Sequence, residues 1–374
     1  MKNDLKSIYV HVPFCVKKCR YCAFNSYENK LCLANDYFDA AMRQIDALKR
    51  EKIETIYIGG GTPSAVDEKY ILQILEKIRT HFDVEKNAET TIEVNPKTVS
   101  EEKLKKYAEG GINRVSIGAQ SFNEKELLAI GRIHSSKDVE NAVDAAHKSG
   151  IDNVSIDIMY AIPNQTEKSL AETLKKAVSL DISHISLYGL TVEDETPLAD
   201  DVKNGRFTPF SDEKYADMYE RICDFLEGNG FLHYEISNFA RSEKYVSRHN
   251  LKYWHGGEYY GIGAGASGYS DGERYTNSVK IEDYIKNPFA KFDAEIIDEN
   301  GKMSEYMFLN LRLLQSGINV SEFKKKFGRD IFSVFGEKLK FHLENTKMLK
   351  RHGDKIVLAK KAYYVCNAVM CDFL

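Results

Sequence analysis

Short apolar runs rich in β-branched residues alternate with longer stretches of 3.6-residue periodicity over the first two thirds of the chain. The runs predict strands at 7–12, 55–60, 90–94, 114–119, 153–159 and 184–190. The periodic stretches predict helices at 36–50, 68–82, 101–110, 138–150, 169–180 and 212–230; one of them carries Ile71, Leu72, Leu75 and Ile78 on a single face. Several end in glycine, as at Gly110-Gly111, Gly150 and Gly228–Gly230. Successive strand–helix units imply an α/β fold with a parallel sheet and right-handed crossovers.

Polar residues decide between an open sheet and a barrel. Gly59–Thr62, Glu93, Gln120 and Asp157 stand at or near the C-terminal ends of four consecutive predicted strands. A barrel, even an incomplete one, converges such groups on one face, whereas an open sheet spreads them. The expectation is therefore a partial, TIM-like (βα)6 barrel. The pattern changes after residue 240. The stretch 249–272 is dense in aromatics and glycine and reads as a loop-rich wrap. From 303 onward three helices, a short strand at 355–359 and a last helix suit a small helical, winged-helix-like domain. The expected units are 1–240, 241–300 and 301–374.

Composition changes this picture little. Hydrophobic residues at 43% and charged residues at 29% suit a globular chain. A formal net charge of −4 gives no basic surface for phosphate backbones, so nucleic acid is not expected as a partner. The N-terminus lacks the pattern of a secretory signal, and no apolar run is long enough to span a membrane. A cytoplasmic setting is expected, in which the seven cysteines stay reduced.

Three of those cysteines cluster as Cys15-x3-Cys19-x2-Cys22. Thiolates at this spacing can point inward from one loop, as ligands of an iron–sulfur cluster or of zinc. Zinc would want a fourth ligand, for which His11 is a candidate. A four-iron cluster held by three thiolates leaves one iron open. Lys17, Lys18 and Arg20 add positive charge that favours ionised thiols.

The spacing is similar to the signature of the radical S-adenosylmethionine (SAM) family, and Tyr57-Ile-Gly-Gly-Gly-Thr62-Pro63 resembles that family's glycine motif. The resemblance implies a [4Fe-4S] cluster on Cys15, Cys19 and Cys22, with SAM chelated at the open iron. It implies that Gly59, Gly60, Gly61 and Thr62 meet the methionine amino group through the backbone. Arg132 then meets the methionine carboxylate, and Gln120 and Asp157 the ribose hydroxyls. Glu93 lies nearby, and Tyr9 and Tyr21 flank the cluster and the adenine. Alone, each has a plainer reading: Glu93 a turn cap, Arg132 a solvated helix-end charge, Asp157 a core carboxylate.

Within that family the chain resembles the oxygen-independent coproporphyrinogen III oxidase subgroup, through Ile8–Cys15, Val154–Tyr160 and Tyr234–Phe239. The oxidases have a further cysteine two positions after the third, where this chain has Phe24, and a longer N-terminal lead. Both differences speak against decarboxylation of coproporphyrinogen. The run His249-Asn250-Leu251-Lys252-Tyr253-Trp254 instead matches the HNxxYW motif of the HemW-type haem chaperones. The resemblance implies haem contact by His249, Asn250, Tyr253 and Trp254, and transfer to an acceptor haemoprotein, a respiratory and membrane-associated one included. Histidine and tyrosine are both known axial ligands of haem iron. The plainer reading is aromatic packing against the barrel. A radical-SAM oxidoreductase acting on a porphyrin is the alternative, and whether SAM is cleaved is left open.

Overall fold

The computed structural model describes residues 5–374, so the first four residues of the expected unit 1–240 lie outside the described residues. Six parallel strands form its centre: β1 (Leu5–Val12), β2 (Lys52–Gly60), β3 (Asp83–Val94), β4 (Arg114–Gln120), β5 (Asn153–Tyr160) and β6 (His184–Gly189). They lie in chain order within a sheet of 12 strands. All six match the strands predicted above. The end strands of the sheet, Lys291–Ile296 and Leu232–Glu235, do not pair with each other, so the barrel is partial and open.

Alternation along each strand builds two different faces. Val10, Ile56, Ile58, Val115, Ile117, Val154, Ile156 and Ile185 are buried beneath the surrounding helices. The alternate positions carry polar groups that face one another inside the barrel. Thr55 donates to Ser7 (2.7 Å), Ser116 to Asp157 (3.1 Å), and Ser155 pairs with His184 Nδ1 (2.7 Å). Burying a polar group costs least when it is partnered, and here strands partner strands.

The sheet continues on both sides. Next to β1 lies the parallel strand Tyr259–Ile262, followed by the antiparallel strands Ser267–Ser270, Glu273–Asn277 and Lys291–Ile296. Next to β6 lie Asn238–Ala240 and Leu232–Glu235. The stretch 249–272, expected to be loop-rich, therefore holds the helix Arg248–Trp254 and two strands. Its glycines serve close strand approach: a Cβ on Gly261 would stand 2.0 Å from the Ser267 carbonyl oxygen. Two short helices, Glu124–Ala129 and Pro197–Lys203, have no counterpart in the predicted pattern.

The C-terminal residues build a second core around Met307, Leu311, Ile318, Phe323, Leu339, Ile356 and Phe373. Helices Glu299–Leu311, Val320–Phe327 and Ile331–Lys340 precede a hairpin, Leu349–His352 with Lys355–Leu358. The expected single strand is thus one arm of a three-stranded sheet completed by Ile318–Asn319. The charged first arm carries no clear alternation of its own. Among the described residues no helix is long and apolar enough to cross a membrane.

Candidate active site

β1 ends at Val12 and runs directly into the cysteine loop. The glycine loop after β2 is tied to that loop by backbone bonds, Gly61 N–H to Val12 O (2.9 Å) and Thr62 N–H to Phe14 O (2.8 Å). Gly60 has φ +112°, and a Cβ there would meet the His11 ring at 2.6 Å, so only glycine lets the two loops close. Between them opens a cavity of about 340 Å³ at the C-terminal ends of the strands. Cys15, Cys19, Cys22, Tyr21, Gly60, Gly61, Thr62, Glu93, Gln120, Arg132 and Asp157 all line it.

Two expected residues stand behind this lining. Gly59 packs against Glu93, whose carboxyl carbon would lie 2.9 Å from a Cβ at that position. Tyr9 bonds His11 Nδ1 at 2.9 Å and stacks on Tyr57 with ring centres 6.2 Å apart. His11, the candidate fourth zinc ligand, has its other nitrogen on Asn25 O at 2.8 Å. Among the described residues no three His, Cys, Asp or Glu side chains are grouped to hold a single metal ion.

The donor set suits a larger cluster and a zwitterionic cosubstrate. Three free cysteines face the cavity. Arg132 Nη1 lies 3.4 Å from Cys19 Sγ, and Nη2 donates to Gly118 O. Arg132 Nε and Gln120 Oε1 are buried without a partner. Orphaned polar atoms beside a cavity are what a bound carboxylate and a hydroxyl would satisfy. Gln120 also adopts φ +65°, a left-handed conformation held for a non-glycine residue at the end of β4.

Burial and charge oppose each other at the thiols. Burial pushes the Cys15 and Cys22 thiols up, and Lys18 only partly opposes this at Cys22. The Lys18 ammonium is held by the carbonyls of Phe24 (3.1 Å) and Ser26 (3.2 Å), and Arg20 is paired with Asp201. Lys18 and Arg20 are thus engaged elsewhere, whereas Lys17 lines the cavity beside the cysteines, and a bound metal would add its own charge in favour of the ionised thiols.

Burial also raises Asp157, and it pushes Glu93 up to about 7, against the pull of its bonds from Tyr57 Oη (2.7 Å) and Gly60 N–H (3.1 Å). A carboxyl whose folded value is raised keeps its proton when the unfolded chain has released it. Stability contributed at Glu93 therefore falls as pH rises from its ordinary 4.5 to about 7, then levels. Denaturant titrations should show the wild type losing stability relative to Glu93→Gln across that window. A constant difference would show that Glu93 does not titrate there.

Phe24, Lys17, Ser116, Gly118, Met159 and Tyr188 also line the cavity, although the motif resemblance gives them no cosubstrate contact. Strand parity could have found three of them. Ser116 and Gly118 precede Gln120 by four and two positions, and Met159 follows Asp157 by two.

The HNxxYW residues lie elsewhere. Their helix, Arg248–Trp254, closes the N-terminal end of the barrel, where Glu89 accepts from the backbone N–H groups of Arg248 (3.1 Å) and His249 (3.0 Å). His249 is 1% exposed. Its Nδ1 bonds Thr55 Oγ1 and its Nε2 bonds Tyr253 Oη, both at 2.7 Å. Neither nitrogen is free for an iron in this conformation. Asn250 donates its backbone N–H to Ser247 Oγ (3.4 Å), and Trp254 lies under the Arg312 guanidinium, 4.1 Å from the ring centre.

A partial barrel with three cysteines and a glycine strap at the C-terminal mouth defines a radical SAM protein, and the Radical SAM superfamily profile matches residues 9–177. The HemN C-terminal domain profile matches residues 297–365. Within that superfamily the chain belongs to the HemW family. It is 37% identical to the heme chaperone HemW of Lactococcus lactis over 100% of this chain and 98% of that one. It is 34% identical to the heme chaperone HemW of Bacillus subtilis over 99% of both. The fold is that of coproporphyrinogen III oxidase (HemN) from Escherichia coli, with a TM-score of 0.86 at 21% identity over 99% of this chain and 90% of that one.

Proposed function

We propose that the protein binds haem in the cytoplasm and passes it to an acceptor haemoprotein, a respiratory, membrane-associated one included. We propose further that its barrel mouth holds a [4Fe-4S] cluster with SAM. The observation that carries the second part is the convergence of Cys15, Cys19 and Cys22 with Gly60, Gln120, Arg132 and Asp157 on one cavity. The first part rests on the relatives named heme chaperone.

In this reading the three cysteines ligate the cluster. Arg132 binds the methionine carboxylate, Gln120 and Asp157 orient the ribose, and the Gly59–Thr62 strap presents backbone to the amino group. Tyr21 and the strand ends keep water from the bound cosubstrate. Such a cluster supplies one-electron reduction of SAM. The unit 1–240 holds this site, 241–300 carries the HNxxYW residues, and 301–374 packs beside them. Haem contact through His249, Asn250, Tyr253 and Trp254 requires the closing helix to move, because both His249 nitrogens are engaged.

Anaerobic titration of the reconstituted protein with haem, with and without SAM, tests the reading. A saturable haem spectrum and release to an apo-haemoprotein are expected. His249→Ala should weaken haem binding while the SAM-free cluster spectrum stays intact; unchanged binding would place the ligand elsewhere. Decarboxylation of coproporphyrinogen III with stoichiometric methionine release would establish the oxidoreductase reading instead.

A further inference from the structure

The HNxxYW helix and the glycine strap lie at opposite ends of the barrel, yet one column of side chains joins them. Thr55, Tyr57 and Gly59 share the inner face of β2. His249 sits at the lower end of this column, bonded to Thr55 and stacked on Tyr57 with ring centres 5.0 Å apart and 26° between planes. Tyr57 Oη donates to Glu93 Oε1 at 2.7 Å, and Glu93 Oε2 accepts the Gly60 N–H at 3.1 Å. Gly60 lines the cosubstrate cavity. A Cβ on Gly59 would meet both Glu93 and Tyr57 at 2.9 Å, so no space is left for the column to slide.

We propose that His249 and Tyr57 are positioning residues that couple the HNxxYW helix to the SAM strap, through Glu93 and the Gly60 amide. The inference rests on the SAM reading above. Every link is a buried ring stack or a hydrogen bond, and a densely packed interior shifts between discrete arrangements rather than deforming smoothly. Displacing the helix removes the ring that backs Tyr57, and the change arrives at Gly60 through one carboxylate. Linkage is reciprocal: a partner that opens the helix weakens SAM binding by the factor with which SAM resists the opening. The histidine of the motif thus has a task inside the barrel whether or not it ever meets haem iron.

The test uses the reconstituted full chain. SAM affinity is measured by calorimetry and by its perturbation of the reduced-cluster resonance, and amide exchange is followed at residues 248–254. Tyr57→Phe keeps the ring and removes one hydrogen bond, and is expected to raise the SAM Kd roughly three- to tenfold. His249→Phe keeps the stack and should weaken SAM less than His249→Ala. SAM should slow exchange at 248–254 in the wild type and fail to do so in Tyr57→Phe, which a purely structural role would not predict. Equal iron content in all variants excludes misfolding as the cause. Wild-type affinity in Tyr57→Phe and His249→Ala, with exchange at 248–254 indifferent to SAM, would overturn the coupling alone. A wild type that holds its cluster but does not bind SAM would overturn the cosubstrate reading, and the coupling with it.

Discussion

Cys19→Ser is expected to abolish the iron–sulfur site, with reconstituted iron falling from about four per chain to near zero. A serine hydroxyl at neutral pH offers no thiolate, and three protein ligands leave no spare one. Cys19 is the most informative of the three. Cys15 is 7% exposed and packs against Thr62 Oγ1 at 3.6 Å, so its replacement also disturbs the join between the two loops. Cys19 is less buried and contacts Arg132, the candidate carboxylate ligand, at 3.4 Å. Its loss should therefore remove cluster and SAM binding together while the melting temperature of the metal-free protein barely moves. Cys32→Ser is the control, because Cys32 is exposed and does not line the cavity. Iron content and anaerobic absorbance decide the matter. A Cys19→Ser protein that still assembles a full cluster would mean that the ligands lie elsewhere.

Much of the barrel was legible because each strand carries β-branched residues in a short run and each helix a clear apolar face. The six central strands differ from expectation only at their ends. The extension from Tyr259 onward was not legible, because Gly261, Gly263, Gly265 and Gly268 interrupt the alternation that marks a strand. Those glycines permit close strand approach, which becomes visible only once the neighbouring strand is in place. The cavity was partly legible for a related reason. Glu93, Gln120 and Asp157 could be placed at strand ends, but the orphaned Arg132 Nε and Gln120 Oε1 depend on side-chain geometry. His249 shows the limit most clearly. Its motif could be read by resemblance, but which way a seven-residue helix turns its histidine is decided by Thr55, Tyr57 and Glu89, residues far away in sequence.

The same tertiary logic governs the join to the C-terminal core, where Arg312→Ala is expected to destabilise the protein by about 3–5 kcal/mol. Glu235 is fully buried and accepts bonds from Arg312 Nη2 (3.2 Å), Ser237 N–H (3.0 Å) and the Asn238 amide. Burial already raises its pKa in spite of Arg312. Removing the guanidinium leaves an unpaired buried carboxylate and strips the cation from the face of Trp254. The loss is large against the roughly 5–15 kcal/mol typical of a folded domain. It should also depend on pH with a definite sign. Once unpaired, Glu235 holds its proton further above the unfolded value, so the deficit is smallest in acid and grows as pH rises. Trp254 is the only tryptophan, so its emission reports directly on this junction during urea unfolding. Pairing Arg312→Met with Glu235→Gln should recover most of the loss, because no charge then remains to be buried. An Arg312→Ala protein as stable as the wild type at about pH 8, well above the carboxylate range, with unchanged tryptophan emission, would show that the pair contributes nothing to holding the C-terminal core against the barrel.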